Sequence, residues 1–155
     1  MKLIRQDKRY RYYRLSDQDL RLWLFALGHY PFPCAKRPGI SRSGEGDSIE
    51  EADELLKSAL AAQRRKTKSD LRRWLRAPNR ITDADGDIQL RIEQSRREWL
   101  LQILNDIRVG AWNQLGAPDQ LEDAYQNLTA NSGRLVFLME IAGMFQSALL
   151  LDGDE

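Results

Sequence analysis

Residues 82–115 read TDADGDIQLRIEQSRREWLLQILNDIRVGAWNQL, and whether that run is one element or several decides the fold. Thr82-Asp83-Ala84-Asp85 carries the small polar and acidic residues of a helix start. Beyond it Ile88, Ile92, Trp99, Leu100, Ile103, Leu104, Ile107, Ala111 and Leu115 follow helical spacing. The spacing predicts a single long helix over about 87–115, closed by Gly116 and Pro118. Residues 134–151 predict a second long helix, apolar almost all round, with Glu140, Gln146 and Ser147 its only internal polar residues. A helix apolar on every face belongs inside a protein, so this one reads as the central core helix. Its length would suit a membrane span. Glu140 near its middle and the lack of flanking anchors argue against one.

Outward from that pair, residues 2–15 predict a hairpin. Tyr10 and Tyr12 share one face at a period of two, with Arg9 and Arg11 on the other, and the Tyr12-Tyr13 doublet breaks the alternation and predicts a bulge or a two-sided strand. Ser16, with Asp17 and Asp19 in the next turn, starts a helix that Gly28 ends. Residues 29–47 hold three prolines and three glycines and predict a long loop, mobile over residues 36–47. Ser48-Ile49-Glu50-Glu51 matches a capping box, and Ala52, Leu55, Leu56, Ala59 and Leu60 follow at helical spacing. Whether 48–77 forms one helix or two is open at this stage; Pro78 stops it. Residues 119–128 predict a short helix or turn. The fold class is mainly α: a single domain over 1–155, a helical bundle with a small N-terminal β-hairpin and a central apolar C-terminal helix.

Composition narrows the chemistry. One cysteine, Cys34, and one histidine, His29, exclude an internal disulfide and a multi-cysteine or multi-histidine metal site. Asp83 to Asp87 resembles a calcium loop only in part. Counted from Asp83, the glycine position holds Ile88 and the closing carboxylate position holds Gln94. No phosphate-binding glycine loop, nucleophile elbow or catalytic triad pattern is present. The expectation is a non-enzymatic protein without metal or cofactor. Met1 to Ser16 has no apolar segment of a secretory signal, which favours a cytoplasmic location away from membranes.

Net charge is +1, but residues 1–80 carry 19 Lys/Arg against 10 Asp/Glu, whereas residues 109–155 carry 1 against 7. Arg64, Arg65, Lys66, Lys68, Arg72, Arg73, Arg76 and Arg80 share their stretch with a single acid, Asp70. Such a tract neutralises phosphates or an acidic partner, or else forms a solvated face that balances the acidic C-terminal half. Trp74 within it is either core or a stacking platform. A second cluster is Asn105, Asp106 and Arg108. A helical wheel places Arg108 among Leu101, Leu104, Trp112 and Leu115, where a guanidinium needs a carboxylate. Glu140 is the available partner, in a buried salt bridge or at the edge of a pocket for a ligand carboxylate.

The run from Trp99 to Arg108, with Leu-Asn-Asp-Ile-Arg at its end, then Gln114-Leu115-Gly116, resembles the bacterial domain-of-unknown-function family twenty-seventeen. Gln146 matches that family's central glutamine loosely, and the order of hairpin, first helix, long linker and paired C-terminal helices is similar. The chain lacks the tryptophans usual in the family's last helix and has a far more basic 64–80 tract. The resemblance implies no activity. It implies a regulatory, protein-interacting role linked to Clp proteolysis, because members are often encoded beside the adaptor that feeds the Clp protease. Two alternatives stand beside it: nucleic-acid binding through 64–80, and small-ligand binding around Arg108. Oligomeric state is not legible.

Overall fold

A computed structural model describes residues 1–33, 46–126 and 128–151. The chain is mainly helical and carries one four-stranded antiparallel sheet. Strands β1 (Lys2–Gln6), β2 (Tyr10–Leu15), β3 (Ile81–Ala84) and β4 (Asp87–Glu93) lie in the order β1-β2-β4-β3. The helices are α1 (Asp17–Gly28), α2 (Gly46–Leu75), α3 (Arg97–Gln114), α4 (Leu121–Gln126) and α5 (Ala130–Leu151). The loop expected over 36–47 falls outside the described residues up to 45, and α2 begins at Gly46, ahead of the capping box proposed at Ser48. From there to Leu75, α2 is one helix of 30 residues.

The long helix expected over 87–115 is not there. Residues 81–93 form a second hairpin, a short 3-10 turn covers Gln94–Arg96, and α3 starts only at Arg97. The reason lies in two local signals. Asp85 and Gly86 both take positive φ, 55° and 85°, the conformation of a tight hairpin turn that Asp-Gly favours. The Asp83 carboxylate accepts the Gly86 N–H at 3.0 Å, which closes it. Ile88, Leu90 and Ile92 are then buried in strict alternation on β4. Ile88 and Ile92 are four apart, a spacing that helix and strand share; Leu90 between them breaks the tie.

The N-terminal hairpin is present as expected. Its bulge sits on β1, where Leu3 faces Tyr13 but Arg5 faces Tyr12, leaving Ile4 as the extra residue opposite the tyrosine doublet. The hairpin gains a neighbour, since β2 pairs with β4 along its whole length, Tyr10 against Glu93 through Leu15 against Ile88. This answers the marginal stability of a lone hairpin in water.

One sheet face joins the core. Tyr13 and Leu15 from β2 and Ile88, Leu90 and Ile92 from β4 pack in one cluster with Trp23 and Leu27 of α1, Leu100, Ile103, Leu104 and Ile107 of α3, and Leu138, Ile141, Phe145 and Leu149 of α5. Trp23 meets Phe145 edge-on at 5.0 Å. The Ser16–Asp19 capping box starts α1, and Gly28 is its last residue rather than its cap, with His29 capping in a right-handed conformation. Gly116, at φ 90°, turns the chain out of α3.

The last helix is less central than its sequence suggests. It packs chiefly on α3 and also on α1. Phe137, Met144 and Leu150 nevertheless remain 51%, 43% and 53% exposed. It is the one described helix long and apolar enough to span a bilayer by length and composition.

Candidate functional site

The feature that sequence periodicity could not place is the first half of α2. Its apolar residues repeat at the spacing of a packed helix, yet every residue from Ser48 to Gln63 is exposed except half-buried Asp53. Leu55 is 72% exposed, Leu56 54%, Ile49 44% and Leu60 39%. On a 100°-per-residue wheel Ile49, Ala52, Leu56, Ala59 and Leu60 form one stripe, with Leu55 at its margin. The same face continues into Thr67, Leu71 and Trp74. There it is covered: Leu71 and Trp74 are buried, and Thr67 hydrogen-bonds the Tyr30 hydroxyl. The helix is therefore anchored by its C-terminal third and overhangs by about 27 Å, at 1.5 Å per residue.

Acids occupy the rest of the circumference. Asp53 flanks the stripe beside Leu60 and Glu51 flanks Leu55, whereas Glu50 and Glu54 lie on the opposite face; the one cation of this half, Lys57, reaches Asp53 at 2.8 Å and Glu54 at 3.5 Å. Glu50, Glu51 and Glu54 edge a shallow depression with Leu55 and Ser58, on the side of Leu55 away from the stripe. An amphipathic helix with an uncovered apolar face and charged margins is the form in which one protein presents a helix to another.

The anchor depends on Arg80, which corrects its placement in the basic tract. Arg80 is 3% exposed and no phosphate ligand. Its guanidinium meets Glu93 at 2.5 and 2.8 Å, donates to the carbonyls of Trp74 and Arg91, and lies 4.2 Å from the Trp74 ring centre. Trp74 Nε1 donates to the same Glu93 carboxylate at 2.8 Å, so this tryptophan is core and not a platform. Burial pushes the Glu93 carboxyl up, but the hydrogen bonds from Arg80 and Trp74 outweigh it and hold it below the ordinary range.

The rest of the tract divides by exposure. Arg65, Lys66, Arg72, Arg73 and Arg76 are exposed, and Lys68 and Arg64 are half-buried. Arg73 reaches Asp70 at 3.6 Å. Arg64 faces Asp106 on α3, whose carboxyl is raised by burial and partly restored by that cation.

The cluster expected around Arg108 does not assemble. Arg108 is exposed, not enclosed, and donates to Gln146 Oε1 at 2.8 Å rather than to Glu140. It lies over Gly143, where a Cβ would meet Arg108 Nε at 3.5 Å, an ordinary van der Waals contact. Glu140 instead accepts from the Tyr125 hydroxyl on α4, which raises that phenol. Asn105 and Arg108 do share a shallow cavity of about 470 Å³ with Val109, Trp112, Pro118, Asp119 and Met139. Asp106 and Glu140 lie elsewhere. The wheel misled because α5 covers only part of α3, so Arg108 reaches solvent over the rim.

His29 bonds the Phe25 carbonyl through Nδ1 and meets Arg134 through Nε2. Cys34 lies outside the described residues. Among the described residues no group of three potential metal ligands comes together. The chain matches no protein-family model, no curated protein and no solved structure.

Proposed function

We propose that this protein is a non-enzymatic interaction module that captures an amphipathic helix of a partner protein on the overhanging half of α2. The observation that carries the reading is the stripe of Ile49, Leu55, Leu56 and Leu60, exposed on a helix that buries only Leu71 and Trp74 near its end. Isolated apolar residues on a surface need no explanation, but an aligned stripe does. The acids that flank the apolar residues, Asp53 beside Leu60 and Glu51 beside Leu55, set the partner's chemistry: a helix with leucine-type anchors flanked by lysine or arginine. The resemblance to family twenty-seventeen nominates a Clp component as the first partner to try.

The test is a binding titration of purified Clp adaptor, and of basic amphipathic helical peptides, against the wild type and the Leu55→Glu/Leu56→Glu/Leu60→Glu variant. Saturable binding that the variant loses while keeping wild-type circular dichroism supports the reading. Equal binding by both proteins, or none at tens of micromolar, overturns it.

A further inference from the structure

The solvent face of the sheet carries a second arrangement, away from the overhang of α2. Strand alternation turns Tyr10, Tyr12 and Arg14 of β2 outward, with Gln89 and Arg91 of β4 beside them. Arg5 of β1 pairs opposite Tyr12. The two tyrosine rings have centres 6.3 Å apart. Each carries a guanidinium over its face: Arg5 at 3.9 Å over Tyr12 and Arg91 at 4.7 Å over Tyr10. Of the carboxylates at this face, Asp87 pairs with Arg14 at 2.7 Å and Glu93 with Arg80, while Asp7 hydrogen-bonds Tyr12 and sets its charge near Arg5. Arg5 and Arg91 form no ion pair among the described residues.

The cationic end of α2 adjoins this surface. Arg91 donates to the Pro78 carbonyl at 3.0 Å, two residues beyond Arg76, and Arg80 fixes the same turn to β4. Upstream, Arg65 and Arg72 of α2 and Arg76, the next residue after its end, whose N–H still bonds the Arg72 carbonyl, fall on one line that points away from the helix's buried face, spanning about 16 Å at 1.5 Å per residue. Stacking planes on an open sheet and a row of unburied cations leading to them thus meet at one corner of the molecule.

We propose that this corner binds single-stranded nucleic acid. Bases stack against the Tyr12–Arg5 and Tyr10–Arg91 pairs, and the phosphates follow Arg76, Arg72 and Arg65. Stacking suits any base because each has a π face, so the site reads strandedness rather than sequence. A duplex keeps its bases stacked on each other and offers this flat face only phosphates, which makes it the weaker ligand.

Fluorescence anisotropy with labelled oligothymidylate of about 12 nucleotides, a length within the range such surfaces cover, tests this. Tyr10→Ala and Tyr12→Ala should each weaken binding about 5- to 150-fold, the loss of one stacked base, and leave the salt slope unchanged. Tyr12→Phe keeps the ring and should bind as the wild type does. Arg72→Ala/Arg76→Ala should flatten the logarithmic salt slope by about 1.4, two single-strand phosphate contacts. Arg5→Ala lies on an exposed strand and tests the stacking plane in a variant that keeps the core intact; it should weaken binding with Tyr12 still present. Absence of binding at low salt, wild-type affinity in the tyrosine-to-alanine variants, or equal affinity for duplex of the same length would each overturn the proposal.

Discussion

Replacing Arg80 by alanine removes the joint that fixes α2 to the sheet. The guanidinium satisfies both Glu93 oxygens and two backbone carbonyls, and it covers the Trp74 ring. Removing one member of a buried ion pair costs about 3–5 kcal/mol, because the partner charge is left uncompensated. Glu93 retains 28% side-chain exposure, so water relieves part of that cost. The expected loss is about 3 kcal/mol, or a fall in Tm of roughly 6–12 °C for a chain of this size. Urea unfolding followed by tryptophan fluorescence reads it directly, since Trp74 lies against the guanidinium. The midpoint should fall with little change in slope. Arg76→Ala, exposed and four residues earlier, is the control and should stay within about 0.5 kcal/mol of wild type. An Arg80→Met/Glu93→Leu pair should recover only part of the loss, because it removes the stranded charge but leaves Trp74 Nε1–H and the Trp74 and Arg91 carbonyls without their partners. A cost below about 1 kcal/mol for Arg80→Ala would refute the joint.

Acid should unmake the same joint. Glu93 has a folded pKa below its unfolded value of 4.5, so its stabilisation is complete above that pH and fades as pH falls through the folded value. Glu93→Gln should therefore lose stability at neutral pH and show a shallower decline below pH 4.5. Arg108→Ala should cost no more than about 1 kcal/mol, as for an exposed side chain with one neutral partner, in a thermal melt. A loss of 3 kcal/mol or more would restore the buried salt bridge. Gly110→Ala should destabilise by about 1–3 kcal/mol despite better helix propensity, because the new methyl would lie 2.4 Å from Phe32 Cδ1 and must displace that ring.

The sequence made the helices of the molecule legible wherever caps and breakers agreed with periodicity. Ser16 with Asp19 marks α1, and Gly116 with Pro118 closes α3. The hairpin over 2–15 followed from the outward pair Tyr10 and Tyr12. What escaped is instructive in each case. Helical spacing from Ile88 to Ile92 hid β4, although Asp85-Gly86 carried the turn signal that a count of apolar positions passes over. Arg80 looked like the last member of a cationic row, because nothing local reveals that Glu93, thirteen residues on, folds back onto it. The apolar stripe of α2 was visible as periodicity, but periodicity states only that a helix has an apolar face. Whether this chain covers that face depends on where the body of the molecule ends, and it ends near Arg64. The available signal was length: a 30-residue helix is about 45 Å long, more than a domain of this size needs. Arg5 and Arg91 over the tyrosines escaped for a similar reason, since β1 and β4 are brought to β2 from opposite ends of the sequence order.

The most direct test of the α2 account is site-specific photocrosslinking from position 56, with positions 14 and 83 as controls, followed by sequencing of the crosslinked peptide. The account predicts a crosslink at Leu56 alone, to an amphipathic helical segment of another protein with basic residues beside its apolar ones. The corresponding synthetic peptide should bind wild type and fail against the triple glutamate variant. Crosslinks equal at all three positions, crosslinks only to a second copy of this chain, or a captured segment with an acidic border would contradict it.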